Sequence, residues 1–182
     1  MLPIELDDGC QVRRIEDSDA EELAALVDAN RAYLSRWMPW APANTISDTR
    51  EHIRRAKEQA ERDDGFQAVI ARNGRIVGAL GYHRIDRINQ STSLGYWLAE
   101  SAQGQGTMTR AVRALVEIGF REWQLNRVEI RCAPENRRSR AIPERLAFQE
   151  EGTLRQAERI GDRYLDNVVY SMLASEWSPS RR

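Results

Sequence analysis

The sequence predicts a mixed α/β fold. Three observations point to it: apolar residues alternate on both sides of Asn73-Gly74, a Gly-rich turn at Gly104 and Gly106 opens the longest amphipathic stripe in the chain, and two alternating runs flank Gly161-Asp162 near its end. Alternation with a period of two marks strands and recurrence near 3.6 residues marks helices, so both kinds of element share one core.

From the N-terminus, Gly9 to Ile15 alternates loosely and carries β-branched residues, which reads as a strand. Asp17-Ser18-Asp19 then supplies N-cap chemistry for a helix carrying Leu23, Leu26 and Val27. Tyr33-Leu-Ser-Arg-Trp-Met-Pro-Trp40 continues or follows that helix until Pro39 and Pro42, whose rings disfavour helical backbone in the residues before them. Asp48 to Asp63 is laced with charge and predicts a second, largely solvated helix. Phe66, Ala68 and Ile70 alternate up to the hairpin signal Asn73-Gly74, Ile76 to Tyr82 resumes beyond it, and Ser91 to Leu98 reads as a further strand. Met108, Val112, Leu115, Val116, Gly119, Phe120 and Trp123 share one helical stripe. After it come a strand over Arg127 to Cys132, a short helix over Asn136 to Leu146, and two strands over Phe148 to Arg159 and Tyr164 to Leu173. With no internal repeat, low-complexity stretch or linker, residues 1–176 are expected to form one domain and 177–182 a tail.

A chain of 182 residues, 41% hydrophobic and 30% charged, has the size of one domain with a real core. Its 27 Lys and Arg offset 28 Asp and Glu, which argues against a general polyanion binder, so neither nucleic acid nor a membrane surface is expected as a partner. No apolar run approaches the roughly 18 residues that span a bilayer, and the N-terminus lacks a signal-peptide layout, so the expected location is cytoplasmic. Cys10 and Cys132 lie far apart without CxxC spacing, and His52 and His83 add too little beside them for a metal site. They read as two reduced thiols, Cys132 embedded in a strand.

The turn Gln103-Gly104-Gln105-Gly106-Thr107-Met108 carries the first chemical signal. A helix N-terminus has unpaired N–H groups and partial positive charge, so a Gly-rich turn running into a helix forms a cradle for a pyrophosphate. Gly104 and Gly106 permit close backbone approach, and the hydroxyls of Thr107 and Thr109 are candidate donors in the first turn. By spacing alone the same turn reads equally as a plain strand-to-helix connection. It is no Walker A loop, since no Gly-Lys-Ser/Thr follows, and no dinucleotide fingerprint, since the third Gly is absent.

Gln103-x-x-Gly106-x-Met108, after Gly95-Tyr96-Trp97-Leu98 and before Asn136-x-x-Ser139, resembles the acetyl-coenzyme-A motif of the GNAT superfamily. Tyr33 to Trp40, Met108-Thr109-Arg110-Ala111, Leu125-Asn-Arg-Val-Glu-Ile-Arg-Cys132, Ser139-Arg-Ala-Ile-Pro-Glu-Arg-Leu146 and Glu151-Gly-Thr-Leu-Arg155 together resemble its RimJ/RimL branch, which acetylates protein N-termini. The likeness covers nearly the whole chain. It implies a GNAT-type, mostly antiparallel mixed sheet of about seven strands flanked by helices on both faces. It also implies acetyl-coenzyme A as co-substrate, no metal, and often a homodimer. Trp97, Leu98, Gln103 to Thr109 and Asn136 are the implied cofactor contacts. Two positions depart from the pattern: Met108 replaces its last small residue, which suits a side chain turned into the core, and Ala147 stands where a Gly usually precedes the aromatic of the next strand.

Acetyl transfer from a thioester to an amine needs a neutral nucleophile, donors for the developing oxyanion and a proton for the departing thiolate. The resemblance implies Glu158 as general base and Ser139 as the hydroxyl bonded to the thiolate. From residue type alone, Glu158 reads as readily as a solvent-facing carboxylate paired with an Arg, and Ser139 and Asn136 as helix-cap residues. The resemblance further implies that a backbone N–H between Tyr96 and Ala99 serves the oxyanion, where the strand splays from its neighbour. Tyr96 and Trp97 point to opposite faces of a regular strand, one toward the acyl cleft and one toward the core. Trp37 and Trp40 either line the acceptor pocket with Tyr96 or staple the helical layer.

An α-amino group has a pKa of about 8 against roughly 10.4 for lysine, so deprotonating lysine costs about 3 kcal/mol more at neutral pH. A carboxylate base with no obvious Tyr or His partner suits the α-amine of a protein such as a ribosomal protein. Acetylation of a small amine (a polyamine, amino-acid derivative or antibiotic) and a non-catalytic acyl-coenzyme-A-binding module are the alternatives.

Overall fold

The hairpin signal at Asn73-Gly74 joins β3 (Gln67–Arg72) to β4 (Arg75–Tyr82), with Asn73 and Gly74 both at positive φ, as a tight two-residue turn requires. The computed structural model describes residues 2–6 and 9–178, and within them the other strands are β1 (Ile4–Glu5), β2 (Cys10–Arg14), β5 (Ser91–Leu98), β6 (Arg127–Cys132), β7 (Gln149–Ile160) and β8 (Arg163–Leu173). They form one sheet in the order β1-β2-β3-β4-β5-β6-β8-β7, antiparallel throughout except for the parallel pair β5–β6. Eight strands stand where about seven were expected from the family pattern. The addition is β1, two residues long and too short to display a period.

The helices are α1 (Ala20–Ala29), α2 (Arg31–Leu34), α3 (Ile46–Glu61), α4 (Thr107–Arg121) and α5 (Arg137–Arg145). Helix α3 starts two residues before the sequence reading, because Thr45 caps it. The Thr45 hydroxyl accepts the Asp48 N–H at 3.2 Å while the Asp48 carboxylate accepts the Thr45 N–H at 2.9 Å.

Leu23 of α1 and Ile53 and Ala56 of α3 pack with Val69 and Ile76 on one face of the sheet. On the other face, Met108, Ala111, Val112, Leu115 and Val116 of α4 pack with Ala68, Ile70, Leu80, Leu94, Val128 and Ile130. Burial of each such aliphatic side chain contributes about 1.5–3 kcal/mol. Met108 turns into this core, as its place in the phosphate-turn motif required. Ala147 keeps the left-handed backbone of the glycine it replaces, at φ 61°. Trp177, the first residue of the expected tail, donates its indole N–H to Glu117 at 2.6 Å and lies against Phe120 of α4, and residues 179–182 fall outside the described residues.

Arg13 of β2 grips the buried Asp19 with two hydrogen bonds of 2.8 and 2.7 Å, and the same carboxylate accepts the Glu16 N–H at 2.8 Å. Burial raises the Asp19 pKa, but the Arg13 bonds and the Glu16 N–H outweigh it and hold the carboxyl below its ordinary value. A depressed folded-state pKa stabilises the protein above the unfolded value of about 3.9, and that contribution is lost as pH falls through the folded value. Asp19→Asn is therefore expected to lower the urea midpoint at pH 7, with the gap to wild type closing as pH falls below the unfolded value and through the folded one. Urea melts at several pH values test this.

Candidate active site

Strand β5 pairs with β6 over only three residues, Ser91 to Ser93 against Arg127 to Glu129, after which β6 continues against β8 alone. The sheet splays open beyond Ser93. The Ser93 carbonyl accepts the His83 N–H at 2.9 Å and the Ala99 N–H donates to the Val77 carbonyl at 2.8 Å, so odd-numbered residues of β5 spend their backbone groups on β4. By the alternation of an antiparallel ladder, the groups of Leu94, Tyr96 and Leu98 face the gap. Gln103 donates its side-chain amide to the Leu98 carbonyl at 3.1 Å, leaving Tyr96 in mid-gap. The splay opens two residues before the Tyr96 to Ala99 stretch that the family resemblance implied, and pairing narrows the donors that face it to alternate residues. Trp97, by contrast, pairs its backbone with Ala79 and presents only its side chain to the cleft.

A cleft of about 790 Å³ passes through this gap, a size typical of small-molecule sites. Its two sides differ. On the α4–α5 side stands a polar cluster: Ser139 donates to the Tyr96 hydroxyl at 3.3 Å, Tyr96 donates to the Ser139 carbonyl at 3.1 Å, and Cys132 Sγ lies 3.1 Å from Ser139 Oγ. Burial pushes the Tyr96 phenol well above the usual tyrosine range and the Cys132 thiol above its own. Asn136 caps α5 by accepting the Ser139 N–H at 3.3 Å, which fixes the first turn of the helix that carries Ser139. Cys132, read from sequence as an embedded strand thiol, thus belongs to the site.

On the other side Trp97 faces the α1–α3 layer and lies 6.1 Å from Trp40, with Trp37 also lining the cleft. Tyr96, grouped from the sequence with Trp37 and Trp40, stands across the sheet from them. Glu158 arrives from β7 through an irregularity: Leu154 pairs with Asn167 and Glu158 with Leu165, so extra residues bulge between them. Gln156 takes a left-handed φ of 51° there, and its N–H donates to the Asp166 carboxylate at 2.7 Å. The bulge turns Glu158 toward the cleft, and the adjacent Arg159 pairs with Asp162 at 3.7 Å instead. His83 lines the same cleft beside Ser93, a placement that no local sequence signal disclosed.

The Gly-rich turn lies beyond the open end of β5. Gly104 and Gly106 have φ of 81° and 73°, the turn is exposed, and a Cβ at Gly104 would meet nothing within 4 Å. The first N–H groups of α4 are free to bind an anion there. Gln103 positions the turn, its amide bonded to Leu98 and its carbonyl oxygen accepting from Arg138 at 2.7 Å. The Thr107 hydroxyl, a sequence candidate for the turn, is buried and accepts from Arg72 at 2.8 Å, and Thr109 lies 3.5 Å from Arg145. An open strand edge leading from an acyl cleft to a phosphate cradle fits the pantetheine arm and pyrophosphate of coenzyme A. Gly106→Ala strains the left-handed turn by roughly 1 kcal/mol and places a Cβ 3.1 Å from the Arg110 guanidinium, so coenzyme A affinity measured by calorimetry is expected to fall about five- to tenfold.

Fold and cleft together define an acetyl-coenzyme-A-dependent N-acetyltransferase. The model of the acetyltransferase (GNAT) domain matches residues 11–149, and the chain belongs to that family. Among its relatives is a Bacillus subtilis (strain 168) protein bearing the provisional name of ribosomal N-acetyltransferase YdaF, 35% identical over 179 residues, which span 97% of this chain and 98% of that one. The solved structure of RimL, a ribosomal L7/L12 alpha-N-protein acetyltransferase in complex with coenzyme A, is 29% identical with a TM-score of 0.89 over 94% of this chain and 98% of its own. The microcin C7 self-immunity acetyltransferase MccE, solved with acetyl-coenzyme A and AMP, is 27% identical with a TM-score of 0.87 over 94% and 96%.

Proposed function

We propose that the protein acetylates the N-terminal α-amine of a protein, such as a ribosomal protein, by direct attack of the amine on the thioester. The observation that carries the reading is the two-sided cleft, with Glu158 and the Trp37–Trp40–Trp97 wall on one face and Ser139 with Tyr96 on the other. An extended peptide N-terminus reaches such a slot from the tryptophan side. Acetyl-coenzyme A supplies the activated acetyl group as a thioester. Glu158 takes a proton from the amine, the Tyr96 N–H donates to the carbonyl oxygen as negative charge develops on it, and the Ser139 hydroxyl protonates the departing sulfur.

The names of the relatives support a ribosomal acceptor. A second reading, a small acceptor carrying an amine, draws on the MccE likeness and its bound AMP. The discriminating experiment follows thiol release with acetyl-coenzyme A over a panel of N-terminal peptides, polyamines, aminoglycosides and aminoacyl nucleotides. Preferential turnover of peptides supports the first reading, and turnover of small amines alone replaces it with the second. The reading sets the reaction in the cytoplasm, where ribosomes are modified. The family likeness adds a homodimer, to be checked by sedimentation.

A further inference from the structure

The cleft holds an imidazole that the reading above leaves idle. His83 directly follows β4, whose last residue, Tyr82, is anchored by its hydroxyl donating to the Leu115 carbonyl. The His83 N–H is tied to the Ser93 carbonyl at 2.9 Å, and the His83 carbonyl accepts from Gln59 of α3, so the backbone beneath the ring is fixed on both sides. The ring shares the face of Ser93 and Gly95, with Nδ1 2.9 Å from the Ser93 hydroxyl. Nε2 lies over Gly95: a Cβ built there would fall 2.8 Å from Nε2 and 3.1 Å from Cε1. The absence of a side chain at position 95 lets the ring lie against β5 one residue before Tyr96, in the part of the strand that has left β6.

We propose that His83 is a catalytic base of the transfer, Nδ1–H held by Ser93 and Nε2 accepting the proton that the acceptor ammonium sheds before attack, with Glu158 opposite. Two protons must leave an α-ammonium on its way to an amide. The first goes to Nε2 and then to solvent. The neutral nitrogen bonds to the acetyl carbon as the carbon–sulfur bond breaks, Glu158 takes the second proton and releases it, and the sulfur receives one from Ser139, which recovers it from solvent. The sum is amide, free thiol and one proton.

Imidazole is the side chain that is both neutral at pH 7 and able to accept a proton there, with an ordinary pKa within about two units of an α-ammonium. The charged groups acting on the ring are Arg131 from β6 and Glu158 from β7, while α3 presents only the uncharged Gln59 to its carbonyl. Burial and then Arg131 push the His83 pKa below its ordinary value, and Glu158 opposes them. The ring is thereby neutral and able to accept a proton at pH 7, and the Glu158 carboxylate stabilises the imidazolium that results.

The inference rests on amine acetylation as proposed above, and the test uses whichever acceptor the wild type turns over. In His83→Gln, kcat at pH 7 is expected to fall about 100-fold. The deficit shrinks to under about tenfold at pH 9, where an α-amine of pKa about 8 is already neutral. The acid limb of the wild-type kcat/KM profile, with a midpoint below about 6.5, is replaced in the variant by one at the α-amine's own value of about 8. Coenzyme A affinity and melting temperature stay close to wild type. Gly95→Ala, which keeps the imidazole but displaces the ring, is expected to show the same loss at pH 7. Turnover by His83→Gln within about threefold of wild type with the acid limb intact overturns the assignment. An equal loss at pH 7 and pH 9 accompanied by weakened coenzyme A binding also overturns it, since that pattern marks a structural residue. Absence of wild-type turnover with every acceptor sinks the enzymatic reading and this one together, whereas an unaffected His83→Gln beside an active wild type sinks this one alone.

Discussion

Glu158→Gln is expected to lower kcat about 10²- to 10⁴-fold while leaving coenzyme A affinity within about threefold of wild type. Glutamine preserves the shape and hydrogen-bonding reach of the side chain and removes only its charge and basicity. The carboxylate reaches the cleft because the 154–158 bulge rotates the end of β7, and it lies across the sheet from the Ser139 cluster and beyond the splay from the Gly104–Gly106 turn. Cofactor affinity therefore has no reason to move. Thiol release at saturating acceptor, paired with calorimetry of coenzyme A, separates the two quantities. Near-normal turnover in the variant removes Glu158 from the reaction and leaves His83 as the principal base in the cleft.

Leu115→Ala is expected to cost about 2–5 kcal/mol of unfolding free energy, a large part of the roughly 5–15 kcal/mol that holds a domain together. Leu115 is fully buried at the centre of the α4 stripe, and its carbonyl accepts the Tyr82 hydroxyl. Truncation leaves a cavity between α4 and the sheet that neighbours such as Val112 and Ile130, themselves fully or nearly fully buried, fill only in part. At roughly 2–4 °C per kcal/mol for a chain of this size, the melting temperature falls by about 5–20 °C. Because Tyr82 precedes His83, the same change is expected to loosen the imidazole, so acetyl transfer at 25 °C declines more than coenzyme A binding does. A melting temperature within about 2 °C of wild type contradicts this account of the core.

The outcome separates what local sequence carries from what it does not. The strands β5 and β6 coincide with their sequence readings, because period-two alternation bounded by turn residues is a local property. The helix after Gly106, the inward turn of Met108 and the left-handed backbone at the two glycines of the turn were legible for the same reason. Each follows from the conformational range of one residue and the polarity of its near neighbours.

Other features of the site depend on pairing between segments remote in sequence. That β5 leaves β6 after Ser93, that β7 bulges against β8 before Glu158, and that His83 lies over Gly95 are outcomes of register. A register shift of one residue reverses every side chain, and no single segment encodes it. Tyr96 and Trp97 illustrate the limit: alternation dictates that they face opposite ways, but only the sheet decides that Tyr96 meets Ser139 and Cys132 while Trp97 meets Trp40. By itself the sequence determined the elements, the Gly-rich turn and the coenzyme A motif, all built from neighbouring residues. The tertiary structure alone decided which side chains share the cleft, because closing that cleft requires strands from both halves of the chain to pair and then part.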